Sequence, residues 1–304
     1  MDAKSLWLKV SRKIRWIHRS VSWKVISLFS RKEFYRFTLW DGSLLDCPVN
    51  TSIAKMLFMC NFEKDEISFL QNSLQAGNIF LDVGANYGIY TILAGKLVGP
   101  QGHVYSFEPS RRELNVLKHN IEMNHLENVT VIEYAVSNHT GTTQLAIARD
   151  GGLNSFADTH RSDQKIELWQ NVETTSLDEF VAKYSIPRVD FVKIDVEGAE
   201  KLVFEGAEKL LTSVQPTTVI FEASDFNAGG FGYTVKDFLN QILGRGMKLF
   251  VLGENGRVNR VSEWSAAYGN QIYNFVIRNH PDLKPSESDL FLPELKDTCT
   301  TDSQ

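Results

Sequence analysis

Cysteine is scarce in this 304-residue chain: Cys47, Cys60 and Cys299 form an odd, widely spaced trio without metal-ligand spacing. That argues against a disulfide framework and a zinc site, and it fits a reducing compartment, so the cytoplasm is the expected location. Long apolar runs are also lacking. No stretch reaches the roughly 18 consecutive apolar residues that a membrane-crossing helix needs, and the N-terminal segment lacks the apolar centre and small-residue cleavage site of a signal peptide. Positive charge is missing from most of the chain. Residues 1–36 hold ten Lys/Arg against Asp2 and Glu33, a surplus of eight, whereas the whole chain stands at −5, so everything after residue 36 carries −13. An acidic body offers no basic face for neutralising phosphates, which argues against nucleic acid as a partner. Apolar residues, at 43% of the total, suffice for one large core or two modest ones.

What is present is organised around residues 78–88. The apolar run Ile79-Phe80-Leu81 ends in Asp82 and turns through Gly84-Ala85-Asn86-Tyr87-Gly88 into a helical segment. A short apolar run without polar alternation suits a parallel strand buried on both faces, and two glycines after it allow a sharp turn and close approach to a ligand. Such turns serve dinucleotides as well as the nucleoside pocket of methyltransferases. The spacing here is D-x-G-A-N-x-G rather than G-x-G-x-x-G, and an acid ahead of the first glycine would repel a pyrophosphate. Asp82 suits the cationic amino-acid end of S-adenosylmethionine instead. The next apolar run, His103 to Phe107, ends in Glu108, at the spacing where an acid accepts both ribose hydroxyls. The plainer alternative is that Asp82 and Glu108 only cap strand ends.

Along the chain, Leu6, Val10, Ile14, Ile17, Val21, Val25 and Leu28 line one helical stripe, with Arg12, Arg15 and Arg19 opposite and Trp7, Trp16 and Trp23 widening the apolar side. This basic amphipathic arm, residues 1–33, has three readings: peripheral contact of residues 1–30 with an anionic membrane, docking as an added helix on the domain, or an Arg-rich targeting segment. Residues 34–76 read as a cap, with a hairpin around Asp41-Gly42 and helices through Leu74. A doubly wound, mostly parallel α/β sheet is expected over 77–280: Ser110 and Glu113 form a capping box for a helix over 111–124, and Val129 to Tyr134 makes the third strand. After a strand at Thr142 to Ala148, the polar stretch Arg149 to Gln170 reads as a mobile loop with substrate contacts. Val189 to Ile194 delivers Asp195 at a carboxyl end, Thr217 to Phe221 ends in Glu222, and Lys248 to Leu252 pairs with Gln271 to Ile277. The tail, 281–304, reads as irregular.

In order, Leu81-Asp82-Val83-Gly84-Ala85-Asn86-Tyr87-Gly88, Phe107-Glu108-Pro109, Leu117 to Asn124, Ser176-Leu177-Asp178 and Val192-Lys193-Ile194-Asp195-Val196-Glu197-Gly198-Ala199-Glu200 resemble the FkbM-type S-adenosylmethionine-dependent methyltransferases. The resemblance covers roughly residues 62–277. It implies a class I methyltransferase (Rossmann-like) sheet of six parallel strands and one antiparallel strand, and methyl transfer to a hydroxyl oxygen of a sugar, glycan or other small-molecule acceptor. It carries the cofactor positions onto Asp82, Gly84, Ala85, Asn86, Gly88 and Glu108, and the adenine contact onto Glu133 to Val136, Glu133 and Ala135 above all. The basic arm has no counterpart in the shared domain.

Methyl transfer from a sulfonium is an in-line displacement that requires alignment and loss of the acceptor's proton. Asp195 is the best-placed base and borders the cofactor, with Glu197 and Glu222 as neighbouring catalytic candidates. The three acids could alternatively hold a divalent cation, although no His or Asn is clearly arranged with them. His139 and His160, in loops, are minor base candidates, and Glu200 reads as structural. A module that binds nucleoside without catalysis, recruited by its basic helix, is the competing class.

Overall fold

The computed structural model describes residues 3–159, 162–269 and 272–279. His160 and the tail 281–304 lie outside them. The described residues form two compact units that meet in sequence at Glu63 and Lys64.

The first unit holds α1 (Ala3–Phe29), the antiparallel hairpin of β1 (Phe34–Thr38) and β2 (Leu44–Pro48), and α2 (Ser52–Phe58). The hairpin turns where Asp41 accepts from the Ser43 N–H and Gly42 takes a positive φ, the turn chemistry read from Asp-Gly. Thr51 caps α2 through its side chain, which accepts from the Ala54 N–H. Trp23 of α1 is buried against Phe58 and Tyr35, with ring centroids 5.1 and 6.4 Å away.

The second unit runs α3 (Lys64–Ser73), β3 (Ile79–Val83), α4 (Ile89–Val98), β4 (His103–Phe107), α5 (Arg111–Met123), β5 (Val129–Ile132), β6 (Ala135–Val136), β7 (Gly141–Ala148), β8 (Ile166–Thr175), α6 (Leu177–Lys183), β9 (Phe191–Ile194), α7 (Glu200–Glu205), α8 (Glu208–Thr212), β10 (Thr218–Ala223), α9 (Asp225–Ala228), α10 (Val235–Gly244), β11 (Lys248–Leu252), β12 (Val258–Val261) and β13 (Tyr273–Arg278). The central sheet has the order β12-β11-β13-β10-β9-β3-β4-β5. Strands β5, β4, β3, β9 and β10 pair in parallel, and β13 inserts antiparallel between β10 and β11. This is the class I α/β sheet. Its core packs Phe204, Phe221, Phe238 and Phe275 edge-to-face or stacked within 4.9–5.7 Å, geometries in which the rings' quadrupoles attract.

Several elements differ from the sequence expectation. The edge gains β12, a second strand antiparallel to the majority, because the turn at residues 254–256 folds 258–261 back on β11. The boundary of the first unit lies at residue 63 rather than 76, since α3 packs on α4 of the second unit. The stretch Arg149 to Gln170 is not wholly loop: from Ile166 it is β8, which pairs with β7 and β6 in a separate three-stranded sheet. Leu168 and Trp169 stay exposed on that hairpin, so no buried face marked it in the sequence. Strand β5 stops at Ile132, leaving Glu133 and Tyr134 beyond it, and β10 continues through Glu222 to Ala223. The expected capping box at Ser110 is absent. Its hydroxyl donates to the Glu113 carboxylate and its N–H to Glu108.

Candidate functional site

The parallel strands bring their carboxyl ends to one edge in the order β10, β9, β3, β4, β5. Glu222, Asp195, the 82–88 turn, Glu108 and Glu133 therefore stand in sequence along one side of the sheet.

Asp82, on β3, is 1% exposed and accepts a 2.6 Å hydrogen bond from the Thr91 hydroxyl to Oδ2. Its Oδ1 is buried with no hydrogen-bond partner among the described residues, a costly arrangement unless a ligand or bridging water supplies a donor. Burial pushes the Asp82 carboxyl up, while Lys193 and Thr91 pull it down. The turn follows with positive φ at Gly84, Asn86 and Gly88. At Gly84 a Cβ would lie 1.9 Å from the Asp195 carbonyl oxygen, and at Gly88 2.6 Å from Leu117 Cδ1. These glycines are thus required by the protein's own packing, in addition to the backbone conformation. The first presses the turn directly against the residue expected to serve as base.

Glu108 follows β4 and is buried. Its Oε2 accepts from the Asn86 N–H and its Oε1 from the Ser110 N–H, both at 2.8 Å. Burial and the neighbouring Glu113 push its carboxyl up to about 8, against those two bonds. Two oxygens with one bond each leave acceptor capacity for two ribose hydroxyls. The orphaned Asp82 oxygen and the unsaturated Glu108 carboxylate together fit S-adenosylmethionine. Asn86 also donates from Nδ2 to the Gly151 carbonyl at 2.9 Å, and Asn154 donates to Glu113 at 3.1 Å. Within the stretch expected to contact substrate, Gly151 thereby fastens onto the glycine turn and Asn154 onto α5.

Glu133 is exposed and paired with Lys118 at 2.5 Å. With Pro109, Arg111, Tyr134, Gln170 and Tyr184 it lines a concavity of about 520 Å³. Ala135 lies elsewhere, in the buried cluster of the small sheet with Leu145, Ile147 and Val172.

Asp195 is the first residue past β9, its N–H donating to the Val83 carbonyl at 3.0 Å. Its side chain is 30% exposed and accepts from Lys193 Nζ at 2.9 Å through Oδ2. Lys193 is buried beneath the Tyr90 ring, 4.3 Å from its centroid, and pairs in register with Asp82. One ammonium thus pairs with Asp195 and also pulls the Asp82 carboxyl down. Sequence reading missed Lys193, although a lysine inside a strand buried on both faces requires an ionic partner and could have been found that way.

Glu197 adopts φ 49° and Gly198 φ 104° in the following loop. Glu200 holds this loop by accepting from the Val196 and Gly198 N–H groups at 3.3 and 3.1 Å, and burial raises its carboxyl to about 7. Tyr233 donates to the Gly198 carbonyl and Ser155 to the Glu197 carbonyl, at 2.9 and 2.8 Å. Asn227 of α9 donates from Nδ2 to Glu197 Oε2 at 2.8 Å and reaches Glu222 Oε1 at 3.5 Å. An amide is therefore arranged with two of the acids, contrary to the sequence expectation; 30 residues separate it from Glu197 and five from Glu222. Glu197 and Glu222 are joined through Asn227, whereas Asp195 is held by Lys193. Among the described residues no group of three or more His, Cys, Asp or Glu is arranged to hold a metal ion. His139 sits on an exposed turn and hydrogen-bonds its neighbour Asn138.

Comparison with known proteins places residues 82–249, just over half of the chain, in the methyltransferase FkbM domain, and residues 5–138 also match the protein-L-isoaspartate(D-aspartate) O-methyltransferase domain. The chain is 27% identical over 155 residues to the hexuronic acid methyltransferase AglP of Haloferax volcanii, covering 50% of this chain and 59% of that protein. It is 25% identical over 167 residues to methyltransferase sdnD of Sordaria araneosa, covering 45% and 63%. The matches thus span about three fifths of these relatives' length. A solved O-methyltransferase from Bacillus cereus superposes on 71% of this chain and 79% of its own, at 16% identity and a TM-score of 0.41.

Proposed function

The chain belongs to the FkbM-domain family of S-adenosylmethionine-dependent methyltransferases, and we propose that it transfers the methyl group to a hydroxyl oxygen of a sugar, glycan or other small-molecule acceptor. The observation that carries this reading is the abutment of the Gly84 turn on Asp195, which joins the nucleoside-binding feature to a partly exposed carboxylate across adjacent strands. A binding module without catalysis has no need of that junction.

In this reading Asp82 faces the cofactor's ammonium, Gly84, Ala85, Asn86 and Gly88 shape its bed, Glu108 accepts the ribose hydroxyls, and Glu133 borders the adenine. When bound, the cofactor supplies an electrophilic methyl carbon on a positively charged sulfur. Asp195 receives the acceptor's hydroxyl proton on Oδ1 while Lys193 holds Oδ2, so the carboxylate is oriented rather than free to rotate. Glu197 and Glu222, clamped by Asn227, line the acceptor's side and offer hydrogen bonds to neighbouring hydroxyls. The relative named for hexuronic acid favours a carbohydrate acceptor.

The test is transfer of labelled methyl from S-adenosylmethionine into a panel of hexoses, hexuronic acids and their glycosides. An alkali-stable methyl ether is expected. An alkali-labile ester would contradict the hydroxyl assignment, and binding of S-adenosylhomocysteine without transfer to the panel or to a fractionated cell extract would favour the binding module.

A further inference from the structure

The amphipathic helix α1 is fastened to its own unit by the wrong face for its apolar stripe to be covered there. Trp23 is the anchor, 6% exposed, and Arg19 supports it by donating to the Phe58 carbonyl at 3.4 Å. Ile14, Ile17, Val21, Val25, Leu28 and Phe29 remain outside, 47–77% exposed. Successive residues advance about 100° around a helix, so these side chains share one arc, and Trp23, read from the sequence as widening that stripe, lies instead on the far side of it. Leu6 and Val10 continue the same spacing toward the N-terminus.

Charge identifies the occupant. Exposed Lys13 and Lys24 border the stripe beside Ile17, and from residue 3 to residue 32 there is no acidic residue at all. A second copy of this helix would bring a like-charged arm alongside, with no carboxylate to offset it. An anionic lipid surface offers both an apolar boundary for the stripe and negative headgroups for the flanking lysines. No helix among the described residues is long and apolar enough to cross a membrane. We propose that α1 lies along an anionic bilayer surface, stripe inward, with Trp23 keeping the helix attached to the β1–β2 hairpin and α2.

The full chain should co-sediment with vesicles of phosphatidylserine and phosphatidylcholine at about 0.1 M salt, more weakly at higher salt because screening shortens the attraction, and poorly with phosphatidylcholine alone. The double variant Val21→Asp/Val25→Asp, at two exposed positions, should lose about tenfold or more in vesicle affinity with an unchanged circular dichroism spectrum. If that variant unfolds, Lys13→Glu/Lys24→Glu reads the electrostatic half, with a comparable loss expected. Wild-type affinity in the folded variants, or equal binding to neutral vesicles, overturns the proposal. So does a wild-type dimer that Val21→Asp/Val25→Asp dissolves, since the stripe would then be a protein interface. None of these readouts uses methyl transfer, so the two proposals stand or fall separately.

Discussion

Burial and Glu113 hold the Glu108 carboxyl up to about 8, so near neutral pH most of it is protonated in the ligand-free protein. Ribose hydroxyls donate more strongly to a carboxylate than to a neutral acid. Binding should therefore expel a proton, and affinity for S-adenosylhomocysteine should rise toward tenfold per pH unit between about 6 and 8. Calorimetry in two buffers of different ionisation enthalpy would show the released proton. Glu108→Gln should bind more weakly and without that pH slope; a wild type whose affinity is flat over this range would show that Glu108 does not meet the ribose. The same residue shows what a sequence conveys. Its place after an apolar run was legible, but its partners Asn86 and Ser110, and hence its raised proton affinity, depend on how the chain folds over it.

At the scale of elements, the tightest junction is the one between the β3 turn and the end of β9. Gly84→Ala places a methyl 1.9 Å from a backbone oxygen at φ +84°, whereas Gly77→Ala meets the same φ with nothing within 4 Å. Left-handed strain alone costs about 1–2 kcal/mol. Gly77→Ala should lose about that much, and Gly84→Ala should lose more than about 3 kcal/mol because backbone cannot swing aside. Urea unfolding of both variants checks this, and equal losses would mean that β9 does not press on the turn. The alternating strands and helices of the parallel sheet were readable because each buried strand is a compact apolar run with a turn signal behind it. The first half of strand β8 was not, since its exposed Leu168 and Trp169 and polar neighbours give no face to recognise; burial begins only at Val172. Asn227 was hidden because its partner Glu197 lies 30 residues away, whereas Lys193 pairs with Asp195 two residues on and was legible as a lysine inside a buried strand.

For the whole molecule, Glu108 and Glu200 tie stability to pH. Unfolded, both carboxyls titrate near 4.5; folded, they hold protons to about 8 and about 7. Between those values the folded state binds more protons than the unfolded one, so their contribution to stability is complete below about 4.5 and is lost as pH rises through 7 to 8. The urea midpoint of the ligand-free protein should fall across that window less steeply in Glu108→Gln; identical slopes would show that Glu108 is not the proton-holding group. In the proposed mechanism Asp195 serves chemistry at an edge where Asp82 and Glu108 hold the nucleoside. Its most direct test is single-turnover methyl transfer at saturating S-adenosylmethionine, compared between wild type and Asp195→Asn. A loss of about 10²-fold or more in the chemical step is expected, with partial recovery at higher pH and S-adenosylhomocysteine affinity close to wild type. A variant that transfers methyl at nearly the wild-type rate would contradict it.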